Sequence, residues 1–336
     1  MGYVRPLAEP FLLACAGSLL LTPLLRRFAL HVGLVDLPTS RKIHREPVAL
    51  LGGVAVFIAF AASVVFEGAA RGPLLGVLLS AAFLMLVGIV DDAQGINPWI
   101  KLLAQVGAAS LAVMYGIQTS FLGTVYLNVP FTLLWIVGIT NAFNLLDNMN
   151  GLAGGVAMIS ASTFAVLASR YSDLGPEQKL TAIAAAALAG GCLGFLRYNL
   201  VGASIFMGDA GSMVLGFILA SLAALGSWRS PTVPTSLLIP ILVLAYPIFD
   251  TTFVTLLRLQ EGRPVFQGGK DHSSHRLVSL GLGQTEAVLL IYLFALCQAL
   301  TAALVTSVTL HLSLLALASS AFNLFIFGAV LRKAKV

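Results

Sequence analysis

Runs of roughly 17–25 apolar residues, the length a helix needs to cross the hydrocarbon of a bilayer, recur about eleven times along this chain. They lie at approximately 11–30, 50–66, 74–90, 100–115, 129–146, 152–168, 180–196, 213–226, 236–257, 286–307 and 311–331. Such a repetition leaves one class of fold: an all-α integral membrane protein, a polytopic bundle of about eleven transmembrane helices. Composition agrees, with 58% hydrophobic and 10% charged residues over 336 and a mean hydropathy of +0.96. The first run resembles a signal peptide in position only. It has an Arg before it, Arg26 and Arg27 after it, and no small-residue cleavage site, so it reads as a retained helix. Cys15, Cys192 and Cys297 all fall within spans, show no CxxC spacing, and read as packing residues. No internal repeat or low-complexity linker divides the chain, so residues 1–336 read as a single membrane domain whose longest polar segment is a loop at about 258–285.

Orientation follows from Lys and Arg, which accumulate in cytoplasmic loops. Alternating eleven spans from an external N-terminus leaves only Arg5, Arg71, Arg170, Lys179 and Arg229 outside, so 14 of the 19 basic residues fall inside. Topology thereby accounts for the net charge of +5 without nucleic acid as a partner. The same alternation places five polar inserts together on the inner face: RKIHREP (41–47), DDAQGINPWIK (91–101), NAFNLLDNMNG (141–151), FMGDAGS (206–212) and GGKDHSSHR (268–276). The expected location is the inner or plasma membrane, multi-pass, with active-site loops on the cytoplasmic side.

Each insert admits a chemical and a plainer reading. Asp91 and Asp92 end the third span, where the helix dipole already presents negative charge. A divalent metal, a Lys such as Lys101, or a raised carboxyl pKa would compensate, and the last makes one Asp a candidate base; the plain reading is a solvated helix end. Asn141, Asn144 and Asp147 recur every three residues and so line one helical stripe, where amides and a carboxylate are costly unless partnered. Helix-to-helix hydrogen bonding is the alternative. Asn150 and Gly151 turn the chain, and Gly154 and Gly155 are expected to let another backbone approach. FMGDAGS leads into the eighth helix, its glycines suited to close approach of a phosphate and Asp209 to Mg²⁺ ligation or to N-capping. His272, His275 and Arg276 form an anion-binding or acid/base cluster, or a solvated loop. Arg41, Lys42, His44 and Arg45 serve equally as topogenic charge. No HExxH zinc motif and no GxxxxGK[ST] loop occurs.

Taken in order, RKIHREPVALLGG, DDAQG, NAFNLLDNMNGLAGG, FMGDAGS and DHSSHRL resemble five motifs of the polyprenyl-phosphate N-acetylhexosamine-1-phosphate transferase family. That family includes the phospho-MurNAc-pentapeptide translocases and the GlcNAc-1-phosphate transferases, and the compact DHSSHRL is closer to the second group. The resemblance implies that undecaprenyl phosphate attacks the sugar-proximal phosphorus of a UDP-amino sugar, best matched by UDP-GlcNAc. UMP is released, in a first step of a lipid-linked cell-envelope glycan such as lipopolysaccharide or teichoic acid.

Roles follow by position, each as the resemblance implies it. Asp209 is the main Mg²⁺ ligand with Asn144 assisting, Mn²⁺ being a substitute. Asp91 or Asp92 keeps the lipid phosphate deprotonated, and Asp147 joins them as a catalytic carboxylate. Lys42 and Lys101 serve the substrate, Lys101 near the diphosphate. Asn141 and Phe206 contact the uridine, with Asn150 and Gly208 also on the substrate side. His272, His275 and Arg276 bind phosphate or sugar. Two positions depart from the pattern: Asn150 stands at a common Asp, and Ser274 at a usual His. A transporter or flippase for an anionic or lipid-linked solute is the alternative class; its ionisable residues would gather near the midplane on repeat-related broken helices. The GxxxG spacing at Gly190 and Gly194 leaves a homodimer open.

Overall fold

The computed structural model describes residues 5–38, 46–119, 122–171, 175–226, 228, 237–264 and 269–334. Its packing separates two compact units, Met1–Ser227 and Trp228–Val336. The first holds α1 (Arg5–Val32), β1 (Val35–Asp36), β2 (Val48–Ala49), α2 (Gly52–Phe66), α3 (Gly72–Gln94), α4 (Pro98–Met114), α5 (Val125–Leu146), α6 (Leu152–Arg170), α7 (Pro176–Asn199) and α8 (Gly208–Leu225). The second holds α9 (Leu238–Val243), α10 (Ala245–Gln260), α11 (Ser273–Ser279), α12 (Gln284–Val305) and α13 (Leu310–Arg332). Among the described residues, α1, α3, α5, α6, α7, α8, α12 and α13 are eight helices long and apolar enough to cross a membrane, while α2 and α4 are shorter apolar helices. The expected all-α polytopic architecture is thus present, with eight full-length candidate spans and two shorter apolar helices among the described residues.

The expected ninth span, 236–257, is broken into α9 and α10 at Leu244. Pro247 is the cause: it has no N–H to give the Val243 carbonyl, and its ring crowds that carbonyl. The ladder ends there and restarts with Ile248 N–H donating to the Leu244 carbonyl at 3.2 Å. The segment 258–285, expected as a loop, contains the seven-residue helix α11.

Helices in lipid gain little from apolar burial alone and associate through close packing of small residues. In the first unit α8 supplies them: Gly208, Ala210, Gly211, Ser212, Gly216 and Ala220 are all buried. A Cβ on Gly53 of α2 would fall 1.9 Å from the Gly211 Cα, one on Gly88 of α3 would fall 2.3 Å from the Ala210 Cα, and one on Gly216 would meet the Ile139 carbonyl of α5 at 2.8 Å. Thus α8 lies between three helices, with 89% of its span buried. Gly154, by contrast, faces the side chains of Leu196, Met207 and Phe195, so it does not admit a backbone as expected. The GxxxG pair packs within the chain: a Cβ on Gly190 would fall 2.0 Å from the Phe11 carbonyl oxygen and one on Gly194 2.5 Å from that of Cys15, both on α1.

The antiparallel pair β1–β2 aligns Val35 with Ala49 and Asp36 with Val48. It leads the chain to Leu51, whose φ of 83° is left-handed and therefore strained for a non-glycine. That turn aims the first N–H groups of α2 at the loop before α8. Gly52 and Gly53 donate to the Phe206 and Met207 carbonyls at 2.9 Å each, and Phe206 N–H donates to the Ala49 carbonyl at 2.8 Å. In the second unit α12 packs on α9, α10, α11 and α13. Phe294 and Phe327 stack there at 4.7 Å, and Phe249 and Phe253 at 5.4 Å.

Candidate functional site

Four helix ends meet around Asp209. The first, α3, runs past Asp91 and Asp92 to Gln94 and stops at Gly95, whose φ of 67° suits a residue without a Cβ. Asp91 Oδ1 accepts from Ile96 N–H at 2.8 Å, closing the turn. Asn97 then caps α4 by accepting from Trp99 N–H at 2.9 Å, with Pro98 at the first helical position. This short connection turns α4 back so that Lys101, in its first turn, forms an ion pair with Asp91 and donates to Asp209 Oδ2 at 2.6 Å.

From α5, Asn144 Nδ2 donates to Asp209 Oδ1 at 2.9 Å and to Ser212 Oγ at 3.0 Å. Both oxygens of Asp209 are therefore engaged, and its side chain remains 37% exposed. Asp209 does not cap α8. That role falls to Asp92, whose Oδ1 accepts from Asp209 N–H at 2.8 Å and Oδ2 from Ala210 N–H at 3.2 Å. A carboxylate from α3 thus satisfies two of the orphan donors at the start of α8, where the dipole favours negative charge. Gly208, with φ 76°, is the turn that permits this approach: a Cβ there would fall 2.5 Å from Asp92 Oδ2.

Asp147 ends α5 as its C-cap. It accepts no side-chain hydrogen bond among the described residues. Burial pushes its carboxyl up to about 8, with the nearby Asp209 and Asp92 charges adding to the rise. Asn150 lies half-buried in the turn that follows. Asn141, one turn deeper, is spent between helices: its Nδ2 donates to Gln105 Oε1 at 2.6 Å and to the Val137 carbonyl at 2.9 Å. Phe206 is fixed through its main chain to β2 and α2. Lys42 lies outside the described residues, as do Arg41, His44 and Arg45.

Two residues outside the expected set position this site. Asn199, at the end of α7 and buried, accepts from Gly151 N–H at 2.8 Å and donates to the Ile205 carbonyl at 2.9 Å. One amide thereby fastens the turn after α5 to the loop before α8. Gln105 is 1% exposed and holds Asn141. Each is an isolated amide in an apolar run, a pattern that signals an obligatory partner but not which one.

Among the described residues, no three His, Cys, Asp or Glu side chains form a ready metal cage. Mg²⁺ does not need one, since it commonly takes one or two carboxylates together with substrate phosphates and water. The donors suit it: Asp209 and Asp147 offer hard oxygens, the amide oxygen of Asn144 is a third, and among the described residues Lys101 pairs with only two, Asp91 and Asp209, of the four carboxylates here. A divalent cation would relieve the repulsion from Asp209 and Asp92 that adds to the burial-driven rise of the Asp147 carboxyl.

In the second unit, Asp271 accepts from Arg258 at both oxygens, at 2.8 and 2.7 Å, and from Arg263 at 3.1 Å. The Arg258 guanidinium holds its carboxyl well below the usual carboxylate range. Arg276 is buried: its Nε donates to the Asp271 carbonyl at 2.9 Å, its Nη1 to the Ala334 carbonyl at 3.1 Å, and its guanidinium lies 5.7 Å from the Phe253 ring centre. Two of its nitrogens thus brace the main chain at Asp271 and at the end of α13. His275 is half-buried, and burial lowers its pKa, with His272 and Lys270 contributing. His272 Nδ1 lies 2.8 Å from Asp250 Oδ2.

The sequence profile of glycosyl transferase family 4 matches residues 74–227, which carry the Asp209 cluster. A Bacillus subtilis (strain 168) protein named "Probable undecaprenyl-phosphate N-acetylglucosaminyl 1-phosphate transferase" is 37% identical over 90% of this chain and 86% of its own length. The decaprenyl-phosphate N-acetylglucosaminephosphotransferase of Mycolicibacterium smegmatis is 31% identical, covering 87% of this chain and 80% of the relative. The undecaprenyl-phosphate alpha-N-acetylglucosaminyl 1-phosphate transferase of Escherichia coli (strain K12) is 29% identical over 80% of this chain and 76% of its own. With 37% identity sustained over 90% of its length, the chain belongs to glycosyl transferase family 4, among the polyprenyl-phosphate sugar-1-phosphate transferases that its motifs resemble.

Proposed function

We propose that this protein transfers N-acetylglucosamine 1-phosphate from UDP-GlcNAc to undecaprenyl phosphate, releasing UMP, in a Mg²⁺-dependent reaction on the cytoplasmic face of the membrane. The observation that carries the reading is the convergence on Asp209 of Lys101 from α4 and Asn144 from α5, beside Asp91 and Asp147. Phosphoryl transfer asks for positioning and charge neutralisation more than for covalent help, and this cluster supplies both. The relatives' shared polyprenyl-phosphate acceptor and N-acetylglucosaminyl phosphate group support the choice of lipid and sugar.

In the reaction an oxygen of the lipid phosphate bonds to the sugar-proximal phosphorus, and the bond from that phosphorus to the bridging oxygen breaks. UMP leaves with the electron pair. One phosphoanhydride replaces another, so the step is nearly isoenergetic and reversible. Lys101, held by Asp91 on one side, turns its remaining hydrogen toward the diphosphate. Asp147, which no side-chain donor engages among the described residues, is the carboxylate that takes a proton from a monoanionic lipid phosphate; Asp92 is occupied by the α8 backbone and acts by holding Asp209 in place. When bound through Asp209 and Asn144, Mg²⁺, or Mn²⁺ in its stead, neutralises charge on the diphosphate and the departing UMP. The positive-inside distribution of Lys and Arg supports the cytoplasmic orientation with the N-terminus outside.

The test is release of UMP by purified protein given undecaprenyl phosphate, Mg²⁺ and a panel of UDP-sugars. UDP-GlcNAc should give the highest kcat/KM, and omission of the lipid or the metal should abolish release. A preference for a UDP-hexose without the acetamido group would overturn the sugar assignment, and release independent of lipid would overturn the acceptor.

A further inference from the structure

The ninth apolar run, AYPIFDTTF, carries one carboxylate, Asp250, that the five polar inserts do not include. In lipid-embedded helices an ionisable residue calls for a partner. Here it is 1% exposed and has three donors. Its Oδ1 accepts from Ser273 N–H at 2.8 Å and from Ser273 Oγ–H at 2.5 Å, while its Oδ2 lies 2.8 Å from His272 Nδ1. Tyr246 Oη lies 2.8 Å from Ser273 Oγ. The serine has one hydrogen, and Asp250 takes it, so the tyrosine must donate to the serine. The hydrogen bonds therefore run one way, from Tyr246 through Ser273 to an acceptor-only carboxylate. The bond at Oδ2 then requires a hydrogen on His272 Nδ1.

We propose that Asp250 is a positioning residue that keeps His272 protonated at Nδ1, so that Nε2 is the nitrogen offered to an anionic oxygen of a phosphate ligand. Neutral or charged, the ring retains its Nδ1 hydrogen; only Nε2 gains or loses one. With Nδ1–H committed to the carboxylate, Nε2 is the ring nitrogen left to meet an anionic oxygen. The reading of that ligand as a substrate phosphate rests on the proposed transferase reaction; the tautomer itself does not.

Asp250→Asn inverts the arrangement in a way fixed by Ser273. Two donors converge on the Oδ1 position, so the amide oxygen takes that place and the NH₂ group faces His272. Nδ1 must then accept, and the ring becomes a neutral Nε2–H tautomer that cannot charge without opposing two donors. A carboxylate that merely closed the start of α11 would leave the histidine free to choose its tautomer.

The experiment compares ¹⁵N imidazole spectra of the full-length protein, wild type and Asp250→Asn, with the His272 signals identified by their loss in His272→Gln. The expected result is an Nδ1–H ring in the wild type and an Nε2–H ring in Asp250→Asn. Turnover adds a second readout. Asp250→Asn should lower kcat/KM of the transferase reaction by about 10²-fold, the lower end for a positioned acid/base group, no more than His272→Gln does, and should add no loss in the double variant. An Nε2–H ring in the wild type overturns the proposal, and that spectrum decides even if Asp250→Asn fails to fold. So does an unchanged tautomer in Asp250→Asn, or a further loss of the same size on the His272→Gln background. Absence of transferase activity in the wild type would instead count against the proposed reaction, leaving the tautomer result to stand on its own.

Discussion

At the scale of single residues, the carboxylates of the first unit divide by what already holds them. Asp92 gives both oxygens to the α8 backbone, Asp91 and Asp209 share Lys101, and Asp147 is engaged by no side-chain donor among the described residues. Asp209→Ala should therefore abolish Mg²⁺-dependent turnover while the protein still folds, because a charged ligand beside a diphosphate is worth on the order of several kcal/mol in the transition state. Near-normal activity with unchanged Mg²⁺ dependence would move the metal elsewhere. Asp147→Asn should lower UMP release at saturating Mg²⁺ by roughly 10²-fold or more, whereas Asn150→Asp should be tolerated, since that residue lies in the turn beyond the helix. An active Asp147→Asn beside a dead Asn150→Asp would reverse these roles. The pairing of Asn144 with Asp209 was legible only through the family resemblance, which sets both at one metal site; the polar stripe and the glycine-flanked Asp do not by themselves point to each other. The capping job of Asp92 was not, because its partners lie on a helix 117 residues later, and local spacing carries no signal for such a contact. Asn199 escaped for the same reason.

At the scale of elements, most helices follow from apolar length alone, and the exception has a local cause in Pro247, a signal present in the sequence but outweighed by the hydropathy around it. What hydropathy could not give is the ion-paired order of the segment after α10. Both side chains of the Arg258–Asp271 pair are 6% exposed, so Asp271→Ala would strand a buried guanidinium and should destabilise the second unit by about 3–5 kcal/mol. Thermal unfolding in detergent, compared with Asp271→Glu, measures it. The folded carboxyl lies below its unfolded value, so its stabilising contribution is fully present above the unfolded pKa of roughly 4 and fades only as pH falls through the folded one. The gap in unfolding temperature between wild type and Asp271→Ala should accordingly stay constant from pH 8 to about 5 and narrow below about 4. A gap that closed between pH 8 and 6 would assign the effect to another group.

At the scale of the whole molecule, the account combines a membrane orientation with a reaction. If the basic residues set the orientation, single cysteines placed at 91–101, 147–151, 206–212 and 269–285, on a background lacking Cys15, Cys192 and Cys297, should resist an impermeant thiol reagent applied from outside. Labelling at any one segment would require the alternation of spans to be redrawn. The central claim is chemical: a sugar moves together with its phosphate onto a lipid phosphate. It is tested most directly by supplying purified protein with Mg²⁺, undecaprenyl phosphate and UDP-GlcNAc labelled with ³²P at the sugar-proximal phosphate and ³H in the sugar, then separating lipid from water. Both labels should enter the lipid fraction in equal molar amounts, with unlabelled UMP released in the same quantity. Tritium in the lipid with ³²P left in the aqueous phase as UDP would mean transfer of the sugar alone, and would contradict the account.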